Sequence, residues 1–154
     1  MLTNNRDLTN DGTLNNNGSL NNNNYLFNSS ILTNNLDGTL INNRELANDG
    51  TLNNNGTLIN NDTLTNFGEL TNNATLTNNG SLNNFFELNN NGTLTNDGTL
   101  SNYVELTNTG SPNNFRTLDN NGTLTNTGTL NNDGTLNNNG IFTQTAGSTI
   151  VSRP

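Results

Sequence analysis

The chain has 154 residues, 44 of them Asn, and a net charge of −8 from twelve acidic residues against four Arg. So acidic a chain argues against a nucleic-acid partner, because polyanion binding needs cations that displace counterions. The absence of Cys removes disulfides and thiolate metal sites, and no apolar run approaches the length of a membrane-spanning helix.

In chain order, the first repeat begins at Leu2, so no secretory signal is expected within this sequence. Met1 is therefore expected to start an excised or recombinant piece of something longer. Leucine recurs at positions 8, 14, 20, 26 and 32. "NNLDGTL" then adds two residues, and leucine resumes at 40, 46, 52, 58, 64, 70, 76, 82, 88, 94, 100 and 106. Pro112 takes the next slot, leucine follows at 118, 124, 130 and 136, and Phe142 ends a series of about 24 hexapeptides. The consensus is T-L-x-N-x-G. Two residues after each leucine, and after Pro112, stands Asn, from Asn4 to Asn138; after Phe142 it is Gln144. Composition alone suggests disorder, but a disordered chain has no physical reason to hold such a register.

A six-residue period does not suit an amphipathic helix, and Asn, Gly and Thr are poor helix interiors. Asn-Gly is a hairpin turn signal, yet N-x-G-T-L-x leaves too little strand between turns. A coil remains, with one short strand centred on each leucine and one corner at each N-x-G. A second period sets its size. Phe67, Phe85 and Tyr103 recur at every third hexapeptide, as do Glu69, Glu87 and Glu105, and Gly68, Phe86 and Val104. Deviations that recur in this way are expected to stack vertically. The predicted fold is all-β: a triangular parallel β-solenoid with 18 residues per coil and about eight coils. At the spacing of neighbouring strands it stands roughly 38 Å tall.

Each buried leucine is worth about 2 kcal/mol, so the backbone ladder and an inward Asn column must help. Such an Asn can bridge its own corner and the amide above, as Asn ladders do in stacked strands. The residue after it is mostly Asn or Asp, which tolerate the left-handed region best among non-glycine residues. Glycine at the following position is preferred rather than required, since Arg, Asp, Phe and Val104 also occupy it. The repeat domain is placed at 1–142, with the two-residue insertion bulging at Leu36–Gly38. The segment 143–154 is read as a tail or cap against edge pairing. Pro112 removes a ladder donor and is expected to weaken its coil.

The runs "GTLTNDGTL", "GTLTNTGTLNNDGTLNNNG" and "IFTQTAGSTI" resemble repeat regions of large bacterial exoproteins, the haemagglutinin-like adhesins secreted by two-partner or autotransporter routes. That resemblance covers nearly all the chain and implies a β-solenoid stalk that is extracellular or on a cell surface. The 18-residue coil also resembles the left-handed hexapeptide β-helix of acyltransferases, which implies a left-handed sense. Glycine two residues before the aliphatic matches that family, whereas Thr, Asn or Ile after it does not. The family's catalytic histidine has no counterpart, because this chain contains no His.

With no His, Cys or Lys, catalysis is not expected, nor is any cofactor. Three surface features stand out. The column Glu69, Glu87, Glu105 concentrates like charge and invites a cation, though a calcium site needs more ligands than a bare carboxylate column. The aromatics Phe67, Phe85, Phe86, Tyr103 and Phe115 sit at corners, where they either grip a glycan or protein partner or cover one another and stiffen the prism. On one face the residues flanking leucine include Thr39, Thr57, Thr75, Thr77, Thr93, Thr95 and Thr129. Regular Thr columns on a flat, uncharged sheet resemble the T-x-T arrays of ice-binding proteins, although Thr is also simply a good strand residue. The leading expectation is a rigid, non-enzymatic structural or adhesive segment, with end-to-end self-association a further way for it to act. Ice binding through the Thr face and glycan binding through the aromatic and Glu column are the alternatives.

Overall fold

Leucine one storey above leucine organises the molecule. The computed structural model describes residues 1–114 and 117–152, which form three parallel sheets wound into a β-solenoid of about eight turns. Sheet A holds nine strands, from Leu2–Asn4 to Thr149–Ser152. Sheet B holds eight, from Asp7–Asn10 to Thr135–Asn138, and sheet C eight, from Thr13–Asn16 to Ile141–Gln144. Each strand pairs with the strand three further along the chain. The regular coil has 18 residues per turn, and its register shows in Thr57↔Thr75 and Glu69↔Glu87.

The two-residue insertion is absorbed at one corner. Ser19↔Thr39, Tyr25↔Glu45 and Ile31↔Thr51 pair across a coil lengthened by the insertion, after which the regular register returns. Leu36 protrudes at 80% exposure, and the Gly38 N–H closes the bulge on the Asn35 carbonyl at 2.7 Å. The segment after Phe142 repeats this device. Ser148 N–H donates to the Thr145 carbonyl, Gly147 takes φ +91°, and Thr149 pairs with Thr129 across a coil lengthened in the same way. Thr149–Ser152 thus lies in register on sheet A.

Strand alternation puts leucine and Asn inside and their neighbours outside. Leucines 20 to 88 of the series are at most 1% exposed, and Leu94, Leu100, Leu106, Leu118, Leu124 and Leu130 at most 4%. Asn22 to Asn126 of the inner position are equally buried. Three inner Asn columns run the height of the solenoid: Asn4 to Asn132, Asn10 to Asn138 and Asn16 to Asn126. In each, Nδ2 donates to the Oδ1 one coil above at 2.6–2.9 Å. The same nitrogen reaches a backbone carbonyl of the next coil and, at many corners, one of its own; Asn60 bonds Ser81 O at 2.9 Å and Asp62 O at 3.0 Å. Among the described residues, no buried side-chain nitrogen or oxygen lacks a partner. Burying amides is costly unless they are satisfied, and here one side-chain type satisfies itself by stacking.

The corners correct one expectation. Among the described residues no non-glycine residue has positive φ, and Gly147 is the one glycine that does. A three-sided coil turns only a third of a circle per corner, so ordinary bends suffice. The N–H of the first corner residue still donates downward, as Asn73 does to Asn54 O at 2.8 Å. Asn at that position instead stacks outward. Asn23 bonds Asn5, Asn43 bonds Asn23, Asn61 bonds Asn43 and Asn79 bonds Asn61 through their carboxamides. Corner glycine is favoured for close approach. A Cβ on Gly80 would lie 2.1 Å from the Asp62 carbonyl oxygen. Side chains are nonetheless accommodated there: beside Phe86 the Glu87 N–H to Gly68 O bond stretches to 3.5 Å, but beside Val104 and Asp62 the equivalent bonds are 3.0 and 2.8 Å.

Pro112 also acts as expected. It has no N–H to give upward, and the pairing of Ser111–Asn114 with Thr129–Asn132 shrinks to Asn113↔Asn131 and Asn114↔Asn132. Its short ring leaves an apolar void of about 20 Å³ between Leu94, Leu118 and Leu130.

Candidate functional site

The corner between sheets B and C collects the aromatic residues. Phe67, Phe85 and Tyr103 each follow an inner Asn, and the 18-residue register stacks them. Ring centroids lie 5.2 Å and 4.5 Å apart, with planes inclined by 14° and 4°. All three stay 40–53% exposed, and Phe86 and Val104 join them as a compact apolar patch over three coils. Phe115 lies outside the described residues.

Stacking decides what this column offers. Both faces of Phe85 are taken by its neighbours, so only the outer faces of Phe67 and Tyr103 and the ring edges meet solvent. A sugar ring packs on an aromatic face, and a column of edges is a poor platform for it. Offset stacking contributes roughly 0.5–1.5 kcal/mol per pair beyond area burial, so the geometry suits stiffening of this corner.

Glu69, Glu87 and Glu105 stand in direct register on sheet C, two residues past the aromatic column. Their carboxylates do not converge. Glu87 Oε1 accepts from Asn89 Nδ2 and Glu105 Oε1 from the Thr107 hydroxyl, each on its own strand. Among the described residues no group of three or more carboxylates is placed to hold a metal ion.

Sheet A carries the Thr columns. Thr39, Thr57, Thr75 and Thr93 pair in sequence, continued by Ser111, and Thr77 pairs with Thr95. Thr129 pairs with Thr149 rather than with Ser111. Thr75 and Thr93 are exposed, while Thr39, Thr57, Thr77, Thr95 and Thr129 are half-buried among their neighbours. Ile41 and Ile59 interrupt the outward third position. From Ser19 to Asn131 the outward positions of this sheet carry no charge.

One cluster was not singled out from the sequence. Tyr25 and Phe27 flank Leu26 on sheet B, with ring centroids 6.3 Å apart and planes at 6°. Asp7 lies below Tyr25 and Glu45 above it. Burial, then the charges of Glu45, Asp49 and Asp7, raise the Tyr25 phenol above its ordinary range. The signal was present as two aromatics around one leucine, but a lone coil has no echo one turn later to draw the eye.

No family model, curated protein or solved structure matches the chain. Among the described residues no helix is long and apolar enough to cross a membrane.

Proposed function

We propose that the chain is a rigid, non-enzymatic structural or adhesive segment of a secreted or cell-surface protein. The observation that carries this reading is the internal stack: inner Asn columns tie coil to coil even past Pro112, and leucine columns, broken on sheet A at that residue, fill the interior. A rod of that kind transmits force and sets distance without presenting a concave site. Immunolabelling of intact, unpermeabilised producing cells tests the surface placement. Labelling that appears only after permeabilisation would remove it. Pulling single molecules along the solenoid axis tests rigidity, and coils that peel off at forces too low to register would count against a stalk.

A second reading has its own observation. Thr57, Thr75 and Thr93 form a regular, in-register column on a sheet face without charge, which is the kind of surface that orders water on ice. The purified chain should then depress freezing below melting, and Thr75→Tyr with Thr93→Tyr should abolish the gap. Unchanged freezing of the parent chain rejects this reading.

A further inference from the structure

Phe67, Phe85, Phe86, Tyr103 and Val104 are exposed apolar side chains on three successive coils at the corner between sheets B and C. Ring stacking accounts for Phe67, Phe85 and Tyr103. It does not account for Phe86 and Val104, which lie outside the stack. At their slot of this corner, Gly50 and Gly68 stand below and Gly122 and Gly140 above, so the fold does not call for large apolar groups there. Contiguous exposed apolar surface of this kind marks a place where another molecule docks.

Charge says what kind of molecule. Glu69, Glu87 and Glu105 are in register beside the patch, while the same row carries Thr51 below and Thr123 above. Patch and acid column therefore begin and end on the same three coils. Glu87 and Glu105 accept from the uncharged Asn89 and Thr107, bonds that leave their charge in place. Like charges one strand apart repel, and a cationic partner relieves that repulsion. Ring edges are the positive end of the aromatic quadrupole. Cations therefore belong on the carboxylates, and apolar groups on the ring edges, Phe86 and Val104. A second copy of this chain, set against the patch by a two-fold axis, would bring its own acid column with it.

We propose that this corner docks a basic amphipathic α-helix of a protein partner, lying along the solenoid axis. Spacing selects the helix. The three coils repeat at about 4.8 Å and place Glu69 and Glu105 about 9.6 Å apart. Two turns of helix cover about 10.5 Å, close enough for long side chains to meet each carboxylate in turn. An extended strand repeats one face every 6.8 Å or so, and by its third position is about 4 Å out of step. An apolar stripe at i, i+3 and i+7 covers the patch, and Lys or Arg on the adjacent stripe face the Glu column. The docking does not depend on where in or on the cell the chain resides.

The probe is a labelled synthetic peptide of about 18 residues, long enough to be helical, with leucine on one stripe and lysine on the next. Fluorescence anisotropy follows its titration with the whole chain. The striped peptide should bind, and a scrambled peptide of the same composition should bind at least about tenfold more weakly. Joint replacement Glu69→Thr, Glu87→Thr and Glu105→Thr should weaken binding about tenfold, as should Phe86→Gly with Val104→Gly. Each installs the residue that neighbouring coils carry. Asp62→Asn, Asp97→Asn and Asp133→Asn together remove as much charge from the corner between sheets A and B and should leave binding within about twofold. The proposal is overturned if the striped peptide does not bind, or if the scrambled peptide binds the unaltered chain equally well. It is equally overturned if the patch variants bind like the parent, or if the distant Asp variant loses as much as the Glu variant. Self-association of the parent that Phe86→Gly with Val104→Gly abolishes, without peptide binding, would give the patch to a second copy instead.

Discussion

The coil around Leu76 and the coil around Pro112 occupy equivalent places on sheet A yet hold together differently. Leu76 is fully buried and pairs at four positions with the coil on each side. Pro112 is half-buried, borders a void, and keeps two of those four pairs upward. The inner Asn column does not notice. Asn96, Asn114 and Asn132 remain linked at 2.9 and 2.7 Å past the proline. Leucine packing and the Asn ladder are therefore separable supports. In an array where each coil touches only its neighbours, a defect in one is contained while the other continues.

The comparison breaks most sharply at the ladder. Asn72 is fully buried, accepts from Asn54, and donates to Asn90 Oδ1 at 2.7 Å and to Thr93 O at 2.9 Å. Asn72→Ala should cost about 3–5 kcal/mol, because it orphans buried groups on both sides. Urea unfolding measures the total. Amide exchange should show the loss concentrated in the two adjacent coils, and a uniform loss would contradict containment. Leu76→Ala comes next, at about 3 kcal/mol. Leu94→Ala, beside the existing void, should cost about 1 kcal/mol less, since fewer contacts remain there to lose. Equal costs would mean the void has no energetic consequence. Pro112→Leu should add about 2 kcal/mol by filling the column and restoring an N–H donor, and it should leave Asn72→Ala as damaging as before.

How far these contrasts could be read from the chain follows from redundancy. Leucine has one place in each hexapeptide, so its spacing revealed the strand, the insertion and the Pro112 defect. The rare residues Phe67, Phe85 and Tyr103 marked the coil length because three aromatics 18 residues apart stand out in a slot otherwise filled mostly by Asn, Asp, Ser and Thr. The Asn two residues after each leucine was legible as an inward column, and Asn60 and Asn78 stack inside; Asn also occurs at corners and on outer faces, so its letters could not say that Asn61 and Asn79 stack outside. The left-handed corner was inferred from residue type, whereas the shallow turn of a three-sided coil decides it. The direction of the Glu87 and Glu105 carboxylates depends on Asn89 and Thr107 two residues on, a side-chain choice that spacing does not encode.

The smallest expected effect contrasts sheet B at Tyr25 with the uncharged face of sheet A. Burial and then Glu45, Asp49 and Asp7 disfavour the phenolate, so the folded pKa lies above the unfolded one. For a group raised on folding, the stabilising contribution is complete below the unfolded pKa of about 10 and is lost as pH climbs through the folded value. Spectrophotometric titration isolates this in a Tyr103→Phe chain, where Tyr25 is the remaining tyrosine. Its midpoint should lie above that of the same chain in urea, and Glu45→Gln should bring it partly back. Only partly, because burial is the larger cause and the substitution leaves Asp7 and Asp49 in place. A midpoint equal to that of the unfolded chain would mean that neither the packing of Tyr25 beside Phe27 nor the carboxylates stacked above and below it act on the phenol.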